Sequence, residues 1–165
     1  MESKELIFEN YDASYFADCL DLFDLNCPSY FAPNERNDYV SFLRSHPGCY
    51  KLGLSQGKLV AAFGVDVEDQ IGRARITWIM VCPNSKGRGL GAKMMHYAKE
   101  ILEGQNADVI DIAASHLSEP FFSKFGAIRV GFQGDGWGKG IHRVDMELHL
   151  GEIESQLKRP STRTF

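Results

Sequence analysis

The sequence predicts a mixed α/β fold: a central, mostly antiparallel sheet with one parallel pair, flanked by helices. Three observations carry this reading. After Gly48 the chain alternates apolar and polar residues across two turns as far as Val81, the pattern of a three-stranded antiparallel meander. The stretch from Ile76 to Gly104, ITWIMVCPNSKGRGLGAKMMHYAKEILEG, then passes from a strand through a glycine-rich turn into a helix. From Asp108 to Ala114, DVIDIAA reads as a strand again, and a strand, helix and strand within about forty residues imply a parallel pair with a right-handed crossover.

The remaining elements follow in order. Leu6 to Phe8 is a short first strand, and Asn10, Tyr11 and Asp12 lead to a helix cap. The first helix begins near Asp12 or Ser14 and sets Phe16, Cys19, Leu20 and Phe23 on one side, ending before Pro28. The segment CPSYFAP, Cys27 to Pro33, is a proline-punctuated loop whose Tyr30 and Phe31 either pack on the core or line a pocket. A second helix from Asn34 to about Ser45 turns Tyr39, Val40 and Leu43 inward. In the meander, Asp66 and Glu68 share one strand face. Beyond Ala114 a short helix reaches Phe125, with Pro120 in its first turn, where a missing N–H does no harm. Two last strands, Ile128 to Gln133 and Ile141 to Leu150, flank a glycine-rich loop, GDGWGKG, that carries Trp137.

Composition bounds the function. A chain of 165 residues fits one domain, expected over residues 1–150, with residues 151–165 as a polar tail. Twenty-two acidic against 18 basic residues give no electrostatic footprint for nucleic acid. Cys19, Cys27, Cys49 and Cys82 are widely spaced with no C-x-x-C pair, so neither a metal site nor a dithiol redox site is expected. No apolar run approaches membrane-spanning length, and the expected setting is soluble and cytoplasmic, as a monomer or homodimer.

The glycine turn is the candidate functional element, because a glycine-rich turn opening a helix presents backbone N–H groups to an anion such as phosphate. A Walker loop fails: Ala92 follows Gly91, and Met94 follows Lys93, so the metal-binding hydroxyl is missing. Gly87, Gly89 and Ala92 formally meet the dinucleotide fingerprint, with Asp108 or Asp111 at nearly the distance for a ribose contact. Yet Cys82 to Lys86 separate the strand from the first glycine, and antiparallel strands precede it. The stretch Val81-x-Pro83 followed by Lys86-Gly87-Arg88-Gly89-Leu90-Gly91 instead resembles the acyl-CoA pyrophosphate loop of the GNAT N-acetyltransferase superfamily, with Lys86 in place of the usual Gln or Arg. Ala114-Ser115-His116 and the run from Pro120 to Ala127, PFFSKFGA, resemble the second signature of that family, and the order of elements is similar from about residue 5 to residue 150.

The resemblance implies transfer of an acetyl group from acetyl-CoA to an amine of a small molecule, amino acid or peptide, by direct attack in a ternary complex. Gly87 to Gly91 would hold the pyrophosphate, with Lys86 adding charge; Arg88 either joins them or is a solvated loop cation. Ile79, Met80 and Val81 would run beside the pantetheine arm, one N–H polarising the thioester carbonyl. Ser115, Phe122 and Lys124 would also border the cofactor. An amine with a lysine-like pKa is roughly one part in 2,500 neutral at pH 7, so a base or water relay is expected. Asp66 and Glu68 are the carboxylate candidates, set against their reading as charges at a hairpin end. The family often places a tyrosine acid where this chain has Phe122, which cannot donate a proton; Ser115, His116, Ser118 or Ser123 would then assist, or the thiolate leaves unaided. Tyr30, Phe31 and Trp137 are candidate acceptor contacts. The rival function is a catalytically weak CoA or acyl-CoA sensor on the same fold.

Overall fold

The computed structural model describes residues 5–68, 72–85, 87 and 89–151. Among these residues seven strands form one sheet in the order β1-β2-β3-β4-β5-β7-β6: β1 Leu6–Asn10, β2 Tyr50–Ser55, β3 Lys58–Glu68, β4 Arg73–Val81, β5 Val109–Ser115, β6 Ile128–Gly138 and β7 Ile141–His149. Every neighbouring pair is antiparallel except β4 and β5, which are parallel and joined through α3 Leu90–Leu102. The expected architecture is therefore the observed one.

Helices cover both faces, so the sheet has two cores. On one face α1 Phe16–Leu25 and α2 Arg36–Arg44 bury Cys19, Phe23, Tyr39 and Leu43 against Tyr50, Leu52, Ala62 and Met80. On the other, Met94, Met95 and Ala98 of α3 and Phe122 of α4 Glu119–Ser123 pack on Ala61, Phe63, Ile76, Ile110 and Val144. Consecutive β3 residues point to opposite faces, so Ala61 and Ala62 enter different cores.

Expectations at several element ends change: α2, expected from Asn34, begins at Arg36 after a 3-10 turn over Pro33–Glu35, and α4, expected to reach Phe125, ends at Ser123. The first helix opens with a 3-10 turn, Ala13–Tyr15, capped by the Asp12 carboxylate on Ser14 N–H at 2.8 Å, and α1 proper begins at Phe16. The expected glycine-rich loop is mostly strand: β6 continues to Gly138, and the reversal is confined to Lys139 and Gly140. Glycines normally weaken a strand. Here Gly136 and Gly138 permit close approach, since a Cβ at Gly138 would stand 2.5 Å from Ala32 Cβ. The polar tail lies, beyond Gly151, outside the described residues.

β4 and β5 pair only from Arg73 opposite Val109 to Ile76 opposite Ile112, and both strands run on unpaired to each other. The paired end is stapled: the Arg73 guanidinium bonds Asp111 on β5 at 2.5 and 2.8 Å and Glu147 on β7 at 2.9 Å. That pairing holds the Asp111 carboxyl below its usual range and occupies one of the two groups, Asp108 or Asp111, that the dinucleotide reading would use. At the other end the strands diverge, and a cleft opens there.

Candidate functional site

The cleft has a volume of about 830 Å³, in the range of small-molecule sites, and lies along the diverging halves of β4 and β5. Ile79, Met80 and Val81 line one wall, Ala113, Ala114 and Ser115 the other, and Gly87, Gly89, Leu90 and Gly91 one end. The sequence-predicted cofactor segments are thus brought together. Phe122 and Lys124 of the α4 region also line the cleft, as do Tyr30, Phe31 and Trp137.

The β4 wall is shaped by a bulge. Ala62 faces Met80 and Gly64 faces Thr77, so Trp78 and Ile79 together oppose Phe63. Trp78 sits at φ 47°, a left-handed conformation uncommon for a bulky residue. A buried phenol pair holds it there: Tyr39 and Tyr50 share a hydrogen bond of 2.8 Å, and the Tyr50 hydroxyl donates to Trp78 C=O at 2.9 Å. The trans peptide then directs the Ile79 N–H away from Tyr50. Burial, together with the neighbouring phenol, pushes the Tyr50 hydroxyl well above its ordinary value, so it stays a protonated donor. Farther along, Cys82 N–H donates to Val60 C=O at 2.7 Å, so strand alternation turns the Val81 N–H toward the diverging side.

At the glycine end, Gly87 has φ 85° and Gly89 φ 72°, conformations that favour glycine, and nothing stands within 4 Å of where a Cβ would be. Among the described residues no side chain caps the N-terminus of α3, which leaves its first N–H groups facing an anion site. Gly91 serves packing as well, because a Cβ there would collide with the Phe121 ring. Lys86 and Arg88 lie outside the described residues. An open glycine backbone, an uncapped helix N-terminus and an unpaired strand pair fit a pyrophosphate followed by an extended arm.

The candidate proton donors and acceptors fall differently. Asp66 and Glu68 do not line the cleft; they lie on β3 opposite Arg75 and Arg73, at the paired end of β4, and Glu68 is bonded to Arg75 at 2.5 Å. His116 is likewise outside the lining, its Nδ1 accepting from His142 N–H at 3.1 Å. Ser115 is buried and lines the cleft, but its Oγ accepts from Leu117 and Ser118 N–H at 3.2 and 3.1 Å and pairs with Ser118 Oγ at 3.2 Å. These serines tie the turn into α4. Trp137 spans the opening: its Nε1–H donates to Ala114 C=O on β5 at 2.8 Å, and its own C=O accepts from Asn34 Nδ2 at 2.8 Å.

Sequence reasoning missed Glu35, which lines the cleft and is only 6% exposed. Its Oε2 accepts from Ala32 N–H at 2.7 Å. Desolvation pushes its carboxyl up to about 7, with Asp38 adding to the rise and the Ala32 bond opposing it. A helix start at Asn34 was visible in the sequence, whereas the burial of Glu35 was not; the β6 tip packs nearby, on Ala32 and Asn34.

The chain matches the model of the Acetyltransferase (GNAT) family over residues 19–127. No curated protein matches it in sequence. Among solved structures it is similar to the ribosomal-protein-S18-alanine N-acetyltransferase of Escherichia coli, with a TM-score of 0.71 and 12% identity over 88% of this chain and 94% of that one. Ard1 from Thermoplasma volcanium aligns with a TM-score of 0.70 and 13% identity, over 87% and 97% of the two chains. An aminoglycoside 6'-N-acetyltransferase solved with coenzyme A aligns with a TM-score of 0.69 at 13% identity, again over 87% and 97%. Family model, sheet order and cleft agree, and the chain is a member of the GNAT acetyltransferase family.

Proposed function

We propose that this protein is an N-acetyltransferase that moves an acetyl group from acetyl-CoA to an amine of a small molecule, amino acid or peptide within a ternary complex. The observation that carries the reading is the divergence of β4 and β5 beyond Ile76 and Ile112, with the glycine turn at one end of the opening. Acetyl-CoA would supply the activated thioester. Gly87, Gly89 and the first N–H groups of α3 hold its pyrophosphate, with Lys86 and Arg88 placed in sequence to add charge. Val81 would offer its backbone on the β5-facing edge of β4 to the pantetheine arm, with Met80 lining the cleft beside it, and the Ile79 N–H, turned by the bulge, would polarise the thioester carbonyl. Phe122 offers an apolar wall and no proton.

A second reading, a CoA-binding module that transfers slowly, rests on Phe122 and on the engagement of the Ser115 and Ser118 hydroxyls in the turn. Calorimetry with CoA and thiol release from acetyl-CoA with a panel of amines separate the two. The transferase reading expects binding and amine-dependent release; binding without release supports the sensor; no binding removes both. Substituting Gly89→Val, which forces a β-branched residue to φ 72°, is expected to weaken CoA binding at least tenfold.

A further inference from the structure

The turn that carries Glu35 is anchored to both strands of the opening. On the β4 side the Phe31 ring lies 6.0 Å from Trp78 in a stacked arrangement. On the β5 side Asn34 holds Trp137, which holds Ala114. Extending the parallel register by two residues from Ile76 and Ile112 sets Trp78 opposite Ala114, so the two anchors grip the strands at the same level, just past the last pair. Glu35 Oε1 takes no hydrogen bond among the described residues, leaving one carboxylate oxygen for a ligand.

Resting on the acetyltransferase reading, we propose that Glu35 is the general base of this site and that Phe31, Trp78 and Trp137 select an amine with an apolar or aromatic substituent. The Glu35 carboxylate receives the acceptor ammonium and takes one proton from it. The freed lone pair forms the C–N bond to the acetyl carbon as the C–S bond breaks. The second N–H proton leaves with the sulfur, giving the amide and the CoA thiol, and Glu35 returns its proton to water. The groups around Glu35 suit this role. Asp38 and the Cys27 thiol raise no positive charge against it, and Arg36 is held by Asp24 at 2.9 Å. The cations lining the cleft from the sheet, Arg75 and Arg143, are engaged by Glu68 and Asp145.

The test uses 2-phenylethylamine as acceptor, with the wild type, Glu35→Gln and Glu35→Asp. Gln keeps an oxygen for the Ala32 N–H, so the fold and the CoA affinity stay within about threefold. The expected result is a loss in kcat/KM of roughly a hundredfold or more for Glu35→Gln, disappearance of the acidic limb near pH 7, and partial recovery with that limb in Glu35→Asp. An unchanged limb, or a loss under about fivefold, overturns the assignment. Binding of 2-phenylethylammonium to the CoA-saturated protein gives a readout free of turnover: roughly tenfold weaker in Glu35→Gln supports the proposal, and equal affinity overturns it. Failure of the wild type to bind CoA would instead overturn the acetyltransferase reading and this assignment with it.

Discussion

Glu35 links stability to pH in a way that can be separated from catalysis. Its carboxyl titrates at about 7 in the folded protein and at its ordinary value of 4.5 when unfolded. Between those values the folded chain keeps a proton the unfolded chain has lost, so the contribution is present below about pH 4.5 and lost as pH rises through 7. At pH 8 the buried carboxylate costs up to about 3 kcal/mol, which Glu35→Gln removes. Thermal unfolding should therefore show the variant gaining on the wild type from pH 5 to pH 8; a constant difference would contradict the burial of this charge. None of this was legible in the sequence, where Glu35 reads as an ordinary acidic residue near a helix start. Asp66 and Glu68 show the converse: strand alternation gave their shared face, but the position of the β3 end relative to the cleft depends on how β4 and β5 pair.

The β4 bulge and the β6 tip are the elements on which the proposed chemistry depends. Removing one hydroxyl in Tyr50→Phe leaves the Trp78 carbonyl and the Tyr39 hydroxyl without their partner, at a cost of about 1–3 kcal/mol. If the bulge orients the Ile79 N–H, kcat in that variant falls several-fold or more while CoA affinity stays near wild type; a change in affinity alone would place the role of Tyr50 elsewhere. Gly138→Val pushes β6 off Ala32 and Asn34. That variant is expected to lose more than half of its acceptor-dependent rate while still binding CoA, because the strap over the acceptor end is displaced and the glycine turn is not. The meander, the crossover and the glycine turn were readable from periodicity and spacing. The bulge was not, because Trp78 and Ile79 continue the strand composition on either side, and the β6 extension was hidden by glycines that a β-strand rarely contains.

Across the whole molecule one sheet performs two tasks. Its β4–β5 pair is held at one end by the Arg73, Asp111 and Glu147 ion pairs and is left to diverge at the other. Helices pack on both faces of the diverging strands, and the separation of β4 from β5 opens into the cleft between them. The measurement that bears most directly on this account is thiol release from acetyl-CoA by the purified protein with and without primary amines, with the amide product identified by mass spectrometry. Amine-dependent release is expected, with one amide formed per thiol and both reduced roughly a hundredfold or more in Glu35→Gln. CoA binding with no amine-dependent release from any amine of the panel would contradict it.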